Sequence, residues 1–329
     1  MNITDAVIRQ CHLRPEAVAV IEDGQAHTYR QLHLRLHAAA ARLREMGVRR
    51  HQHVALDLNI DLPAVVTMLA LMRLGAVVST LRASYPRADK SLLMARHEVA
   101  FIVHGPGSAW QTPEAGLPPF TGLPVDEIAG RPPAADALLP ADEPGTPHDA
   151  SGDLCLMSTT SGSTGEKKSI ALTHAEVLVR QSLDQKLWLP ESRRLFVSLN
   201  FETSVAKALI LRALSIGNTL ITSTGSAANA FYEVLNRDRP TRIVTATGAI
   251  PHLVNLSVRT PEAARLHEPT TASICVTGSA LPQAHLHWMM EHLGPYVEVQ
   301  LGSSEASQTG FVDARTLIER PDVSSLLLP

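Results

Sequence analysis

Short apolar runs alternate with amphipathic segments along nearly the whole chain, and this alternation restricts the fold more than any other feature. Runs of buried-strand length fall at 17–22, 53–58, 76–79, 99–103, 154–157, 195–199, 218–222, 242–245, 272–277 and 297–301. Between them, helices are predicted at 5–13, 28–47, 62–74, 87–96, 173–187, 203–215, 227–236, 249–258 and 282–293. In the second of these, Leu32, Leu36, Ala39, Ala40, Leu43 and Met46 fall at helical spacing, with Thr28 placed to cap it and Gly47 to end it. Asp61 and Gly75 bracket the next helix in the same way, and Pro282 opens the last. Strand and helix in strict alternation predict parallel βαβ units, an α/β class with helices covering both faces of the sheet. Ligands of such sheets bind at the carboxyl ends of the strands. Between Gly105 and Gly152 the pattern lapses, and prolines from Pro106 to Pro147 crowd a surface connection with room for one strand. That stretch sets the expected boundary between domains at 1–150 and 151–329.

The 329 residues, 45% of them hydrophobic, suffice for one large or two medium cores. A net charge of −3 and the lack of long basic runs argue against a nucleic-acid surface, and 4% aromatic residues leave little for stacking bases. The longest apolar stretch, 62–79, is interrupted by Arg73, which argues against a membrane span. Cys11, Cys155 and Cys275 are odd in number and widely spaced, as expected of reduced thiols in a cytoplasmic protein and not of a disulfide framework. The N-terminus, Met1-Asn2-Ile3-Thr4-Asp5, has no signal-peptide character.

One loop stands out chemically. After the strand-like Leu154-Cys155-Leu156-Met157 comes Ser158-Thr159-Thr160-Ser161-Gly162-Ser163-Thr164-Gly165-Glu166-Lys167-Lys168. Its two glycines permit close backbone approach to a ligand. Its hydroxyls and main-chain N–H groups can donate to phosphate oxygens, and two lysines add positive charge. It is not a Walker A loop, because Gly162 and Gly165 are three apart and Glu166 follows the second. Without its flanks, the stretch would read as a polar surface loop.

Thr160-Ser161-Gly162-Ser163-Thr164-Gly165-x-x-Lys168 followed by Leu172-Thr173-His174 resembles the signature loop of the adenylate-forming enzymes: acyl- and aryl-CoA synthetases, luciferases and the adenylation domains of peptide synthetases. Lys167 stands where that family usually has Pro, and Ser169 where it usually has Gly. The run 73–81 followed by Tyr85-Pro86 is similar to a second family segment. Val276-Thr277-Gly278-Ser279-Ala280-Leu281-Pro282 resembles the family's Gly-Gly-Ala/Glu turn, which lies along the adenine and the acyl group. Gln300-Leu301-Gly302-Ser303-Ser304-Glu305 resembles its Tyr-Gly-x-Thr-Glu, with Leu301 in place of the aromatic. Phe201-Glu202-Thr203-Ser204 is similar to the Phe-Asp-x-Ser of amino-acid adenylation domains, though the register to Gly217 slips by two; Glu202 either meets a substrate amine or caps the following helix.

The resemblance implies two similar subdomains of mainly parallel β-sheet flanked by helices, and an ATP-dependent activation of a carboxylic acid to an acyl adenylate. The acyl group then passes to the thiol of CoA or of a carrier-protein phosphopantetheine. It implies a nucleotide site of Thr160, Ser161, Gly162, Ser163, Thr164, Gly165, Lys168, Gly278, Ser279, Ala280, Gln300, Leu301, Gly302, Ser303 and Ser304. It implies a catalytic set of Thr160, Ser304 and Glu305, with Ser304 on the α-phosphate and Glu305 holding Mg²⁺. Phe201, Glu202, Thr247, Gly248, Gly278 and Gly302 are the expected substrate walls. The scarcity of aromatics and the aliphatic segment 195–221 lean toward an acyl or small aryl acid. The family continues into a small C-terminal lid domain with a catalytic Lys. This chain stops at Pro329, so the expectation is an N-terminal core lacking the lid, short by on the order of 100 residues, that binds ligand yet adenylates poorly or not at all.

Other readings remain open: a non-catalytic acyl- or nucleotide-binding protein, or a phosphate-binding α/β enzyme such as a kinase. His33 and His37 lie four apart, and His285 and His287 are close, but no Cys or acidic partner completes a zinc site. His174 reads as structural. Gly-x-Ser-x-Gly is absent, which argues against a serine hydrolase.

Overall fold

The computed structural model describes residues 1–81, 85–108, 110, 119–130, 150–159, 169–183, 193–224, 227–268, 270–303 and 307–320. In chain order they begin with α1 (Ile3–Leu13), β1 (Val18–Glu22), β2 (Gln25–Thr28), α2 (Tyr29–Glu45), β3 (His53–Asp57), α3 (Leu62–Arg73), β4 (Val77–Thr80), α4 (Arg87–Arg96), β5 (Phe101–His104) and β6 (Thr121–Pro124). Next come β7 (Leu154–Thr159), β8 (Ser169–Thr173), α5 (His174–Leu183), β9 (Arg194–Ser198), α6 (Ser204–Ser215), β10 (Thr219–Thr222) and α7 (Ala227–Asp238). The last are β11 (Arg242–Ala246), α8 (Ile250–Arg259), β12 (Ser273–Thr277), α9 (Gln283–His292), β13 (Val297–Ser303), β14 (Ser307–Asp313) and α10 (Ala314–Glu319).

Helix starts follow from local side-chain chemistry. Asn2 and Asp5 form a reciprocal capping box on α1, and Thr28 and Gln31 form another on α2. Asp61 accepts from the Ala64 N–H at 2.8 Å to open α3. Each cap satisfies a backbone donor that the helix itself leaves free and stabilises by about 1 kcal/mol. α3 is apolar all round and buried from Leu62 to Met72 save Pro63, as a helix enclosed on every side must be. Gly75 follows it at φ +77°, and an added Cβ would meet Arg50 Cγ at 2.9 Å, so the turn into β4 requires glycine.

The chain divides into two compact units, each discontinuous in sequence. The first comprises Met1–Val20, His27–Ser182 and Asn200–Gly217; the second Ile21–Ala26, Leu183–Leu199 and Asn218–Pro329. The first unit holds a six-stranded sheet in the order β6-β5-β3-β4-β7-β8, parallel except for β7–β8. Strands β9 to β14 belong to the second unit and to an eight-stranded sheet ordered β14-β13-β12-β11-β9-β10-β1-β2. Its pairs from β10 through β13 are parallel, and β13–β14 is antiparallel. The α/β class with two mainly parallel sheets flanked by helices is therefore observed. The strands β2, β8 and β14 and the helix α10 were not anticipated. They are short or polar, and β8 and β14 are edge strands whose ladder partner lies on one side only.

In the first sheet the chain reverses at β3, which has β4 on one side and β5 on the other. Such a reversal opens a crevice at the carboxyl edge. Here the chain fills it: Asp57, at the end of β3, accepts both Lys90 Nζ at 2.8 and 2.9 Å and Trp110 Nε1 at 2.6 Å. Trp110 packs edge-on against Phe120 in a buried cluster with Leu81, Leu93 and Ile102. Among the described residues no helix is long and apolar enough to cross a membrane.

Candidate functional site

The residues 160–168, Ser304 and Glu305 lie outside the described residues, but the strands that carry both loops are in place. β7 and β8 pair antiparallel with Thr159 opposite Ser169, so the candidate phosphate loop leaves and re-enters the sheet at one cross-strand pair. The two feet of that loop are then about 5 Å apart at Cα, the spacing of directly opposed residues. β13 and β14 repeat this arrangement: Ser303 is opposite Ser307, and Ser304 and Glu305 fall between them in the sequence. The first loop therefore returns into a strand before α5 begins, where the sequence predicted a loop running directly into a helix at residue 173.

The foot at Ser169 is anchored from behind. His97, buried at the end of α4, bridges Ser169 Oγ at 2.6 Å through Nε2 and Ser79 Oγ on β4 at 3.2 Å through Nδ1. Burial, then the nearby His53 and Arg96, hold the His97 pKa below the usual imidazole range, so the ring is neutral and can accept as well as donate. Ser169 is the position at which this chain departs from the family's glycine, and its hydroxyl is engaged. On β7, Cys155 is fully buried; burial and then Glu176 push its thiol up to about 12, which keeps it an unreactive apolar side chain. Cys11, Cys155 and Cys275 are all buried thiols not joined in disulfides.

His174 is wholly buried and its Nδ1 accepts from the Ile3 N–H at 3.2 Å, tying the start of α5 to the start of α1. Burial pulls its pKa down to about 4, against a smaller upward pull from Asp153 and Asp5. A neutral imidazole locked onto a backbone N–H is a structural group. The start of α5 is closed by Thr173 and Glu176, which exchange hydrogen bonds with each other's backbone N–H at 2.7 and 3.2 Å.

In the second unit the strand ends bring several predicted residues together. Thr247 follows β11, and its Oγ1 donates to Ser279 O at 2.9 Å and accepts from Ser279 N at 3.2 Å. The loops after β11 and β12 are thus stapled to each other. Between Thr277 and Ser279, Gly278 takes φ +124°, a shape that side-chain-bearing residues avoid. Thr277 pairs in register with Gln300 on β13, which places Gly278, Ser279, Ala280, Leu301, Gly302 and Ser303 on adjacent carboxyl ends of one sheet. Gly278, Ser279, Ala280, Gly302 and Ser303 are exposed there, as is Gly248; Leu301 is half-buried. Gln300 is buried, with its Oε1 3.5 Å from Cys275 Sγ.

Phe201 and Glu202 belong to the first unit. Phe201 is buried and Glu202 half-buried. The cap of α6 is Thr203, whose Oγ1 accepts from Ala206 N at 3.2 Å, so the alternative capping role considered for Glu202 falls to its neighbour. A residue that sequence reasoning missed lies one turn further on. Lys207 is completely buried, and its Nζ donates to Thr80 Oγ1 at 2.7 Å, Glu202 O at 2.7 Å and Phe201 O at 3.4 Å. Burial lowers its pKa to about 7, partly offset by the Glu202 charge. The available signal was a lone Lys in Val205-Ala206-Lys207-Ala208-Leu209-Ile210-Leu211, a run too apolar to present it to solvent.

A family model described as AMP-binding enzyme matches residues 7–325. The chain belongs to that family. Phosphinothricin tripeptide synthetase PhsC of Streptomyces viridochromogenes is 31% identical over 209 residues, 63% of this chain and 18% of that protein. Feruloyl-CoA synthase of an Amycolatopsis species is 30% identical over 246 residues, 72% of this chain and 47% of that protein. This AMP-binding enzyme thus spans from about a fifth to about half the length of these relatives. Among solved structures, the N-terminal subdomain of Klebsiella oxytoca NpsA, in complex with 3-hydroxybenzoyl-AMSN, superposes with a TM-score of 0.76 at 20% identity, covering 96% of this chain and 77% of that one. That likeness concerns the fold.

Proposed function

We propose that this AMP-binding enzyme is the core of an adenylate-forming acid–thiol ligase. The observation that carries the reading is the family match from residue 7 to residue 325, which spans every motif discussed above. In this reading the hydroxyls and N–H groups of residues 160–168, with Lys168, cradle the β- and γ-phosphates of ATP, and Ser304 contacts the α-phosphate. Thr160 completes the catalytic set. The walls of the acid site are Phe201, Glu202, Thr247, Gly248, Gly278 and Gly302, and the adenine lies along 278–280 and 300–303. The acid's carboxylate oxygen attacks the α-phosphorus, its bond to the bridging oxygen breaks, and pyrophosphate leaves. The thiol of CoA or of a carrier-protein phosphopantetheine then displaces AMP from the acyl carbon. A single carboxylate among hydroxyls suits Mg²⁺, which keeps waters and phosphate oxygens as its other ligands. Glu305 would hold it, and when bound it neutralises charge on the leaving pyrophosphate. The protein's own contribution is alignment: the nucleophile and the phosphate must meet in line at contact distance.

The relatives include a peptide synthetase and a CoA synthase, which supports a carrier-protein or a CoA thiol as the acceptor. Feruloyl-CoA synthase, with the aliphatic segment 195–221, favours an acyl or small aryl acid. The three buried thiols, none in a disulfide, agree with a reducing cytoplasmic setting. The test is a panel of carboxylic acids offered with MgATP while AMP and pyrophosphate are measured. Acid-dependent release of both, with one acid class preferred, supports the reading. Phosphate transfer to a hydroxyl without AMP overturns it. Tight adenylate binding with no turnover on any acid would assign the chain to binding alone.

A further inference from the structure

Only two lysines fall among the described residues, and both are buried. Lys90 sits against the Asp57 carboxylate at 2.8 Å. Lys207 instead directs its hydrogen bonds to three neutral oxygens: one hydroxyl and two consecutive main-chain carbonyls. An amine with no exposure at all is costly to bury, and an apolar side chain would pack the same helix face of α6 without that cost. What the amine supplies is a three-way tie. The carbonyls of Phe201 and Glu202 form the turn that precedes α6, the turn whose side chains are candidate walls for the acid. Thr80 is the last residue of β4. β4 pairs in parallel register with β7, Ser79 opposite Met157, and two residues further along β7 is Thr159, the foot of the candidate phosphate loop. Lys207 therefore connects the acid wall to the strand pair from which the phosphate loop departs, and every member of this connection lies in the first unit.

We infer that Lys207 is a positioning residue for the acid: by fixing the Phe201–Glu202 turn to the carboxyl end of β4, it sets where the acyl group lies relative to the β4–β7 strand pair. This rests on the reading of the chain as an adenylate-forming enzyme. Lys207 does not touch the acid, since its three donors are already taken. Its loss should weaken recognition of the acyl part while sparing the nucleotide part.

Two probes separate these parts, AMP and 3-hydroxybenzoyl-AMSN, with dissociation constants measured calorimetrically on the wild type and on Lys207→Met, Lys207→Arg and Thr80→Val. The expected result is AMP affinity near wild type in all three variants. Lys207→Met should lose about tenfold or more for the acyl analogue, as a displaced substrate wall would cause. Thr80→Val should lose less in the same direction, because it removes one of the three acceptors and leaves the amine in place. Lys207→Arg should recover part of the loss. In turnover with the acid selected by the panel, the deficit should appear in KM for the acid and in kcat, and not in KM for ATP. Equal weakening toward both probes would mean a general structural role and would overturn the inference, as would an unchanged preference for the acyl analogue. Thr80→Val keeps the test decisive if Lys207→Met fails to fold. A wild type whose affinity gains nothing from the acyl group also overturns it. A wild type that binds neither probe rejects the adenylate-forming reading itself.

Discussion

His174, which the sequence reads as structural, and Thr203 both hold backbone. His174 stays neutral because charging it would strand a cation in the core: its folded pKa is about 4, against 6.5 when exposed. Between those values the unfolded chain takes up a proton that the folded chain refuses, so stability falls as pH drops from 6.5 toward 4, with a slope of at most about 1.4 kcal/mol per pH unit. His174→Asn keeps an acceptor for the Ile3 N–H and does not titrate. Its urea midpoint should therefore change less between pH 7 and pH 5 than that of the wild type, and a parallel pH profile would refute the assignment. Thr203→Ala should cost about 1 kcal/mol in equilibrium unfolding through loss of the α6 cap. Lys207 was overlooked for a reason that belongs to this scale: sequence patterning treats a lone Lys as exposed, and only coordinates reveal three oxygens converging on its amine.

At the level of elements, long amphipathic helices and buried parallel strands were legible from periodicity and caps. Thr28 and Asp61 open α2 and α3 where their side chains say they should. The edge strands β8 and β14 were not legible. Ser169-Ile170-Ala171-Leu172-Thr173 is five residues long and buries only Leu172, and Ser307-Gln308-Thr309-Gly310 offers no apolar alternation. Their existence is decided by tertiary pairing with β7 and β13, which local sequence does not encode. β8 is also held by His97 from α4. Replacing His97 with Ala removes the partner of two hydroxyls. Ser169 is exposed and regains water, whereas Ser79 is buried and does not. The expected cost is therefore that of one stranded buried hydroxyl, about 1–3 kcal/mol in chemical unfolding. A cost near zero would mean that Ser79 finds another acceptor.

On the scale of the whole chain, the α/β class could be read from alternation alone, and the family from five short motifs. The division into units could not, because each unit is assembled from pieces distant in sequence: residues 200–217 join the first, while 21–26 join the second. Cysteine chemistry can follow both units at once. Cys11 and Cys155 report on the first and Cys275 on the second, and all three are inaccessible. A thiol reagent at pH 8 should leave the native chain unlabelled over the time in which a denatured sample reacts at all three sites, and peptide mapping of partial labelling should show which unit opens first. Rapid native labelling would contradict the burial. The opposed feet at Thr159 and Ser169 have a further consequence. A segment whose ends already stand side by side behaves as a cassette: doubling its length adds only about 0.6 kcal/mol of closure entropy and leaves the register of the surrounding ladder untouched. Foreign versions of residues 160–168 can thus be grafted into this scaffold with the β7–β8 pairing unchanged, and nucleotide binding by such grafts tests the phosphate role proposed for the segment.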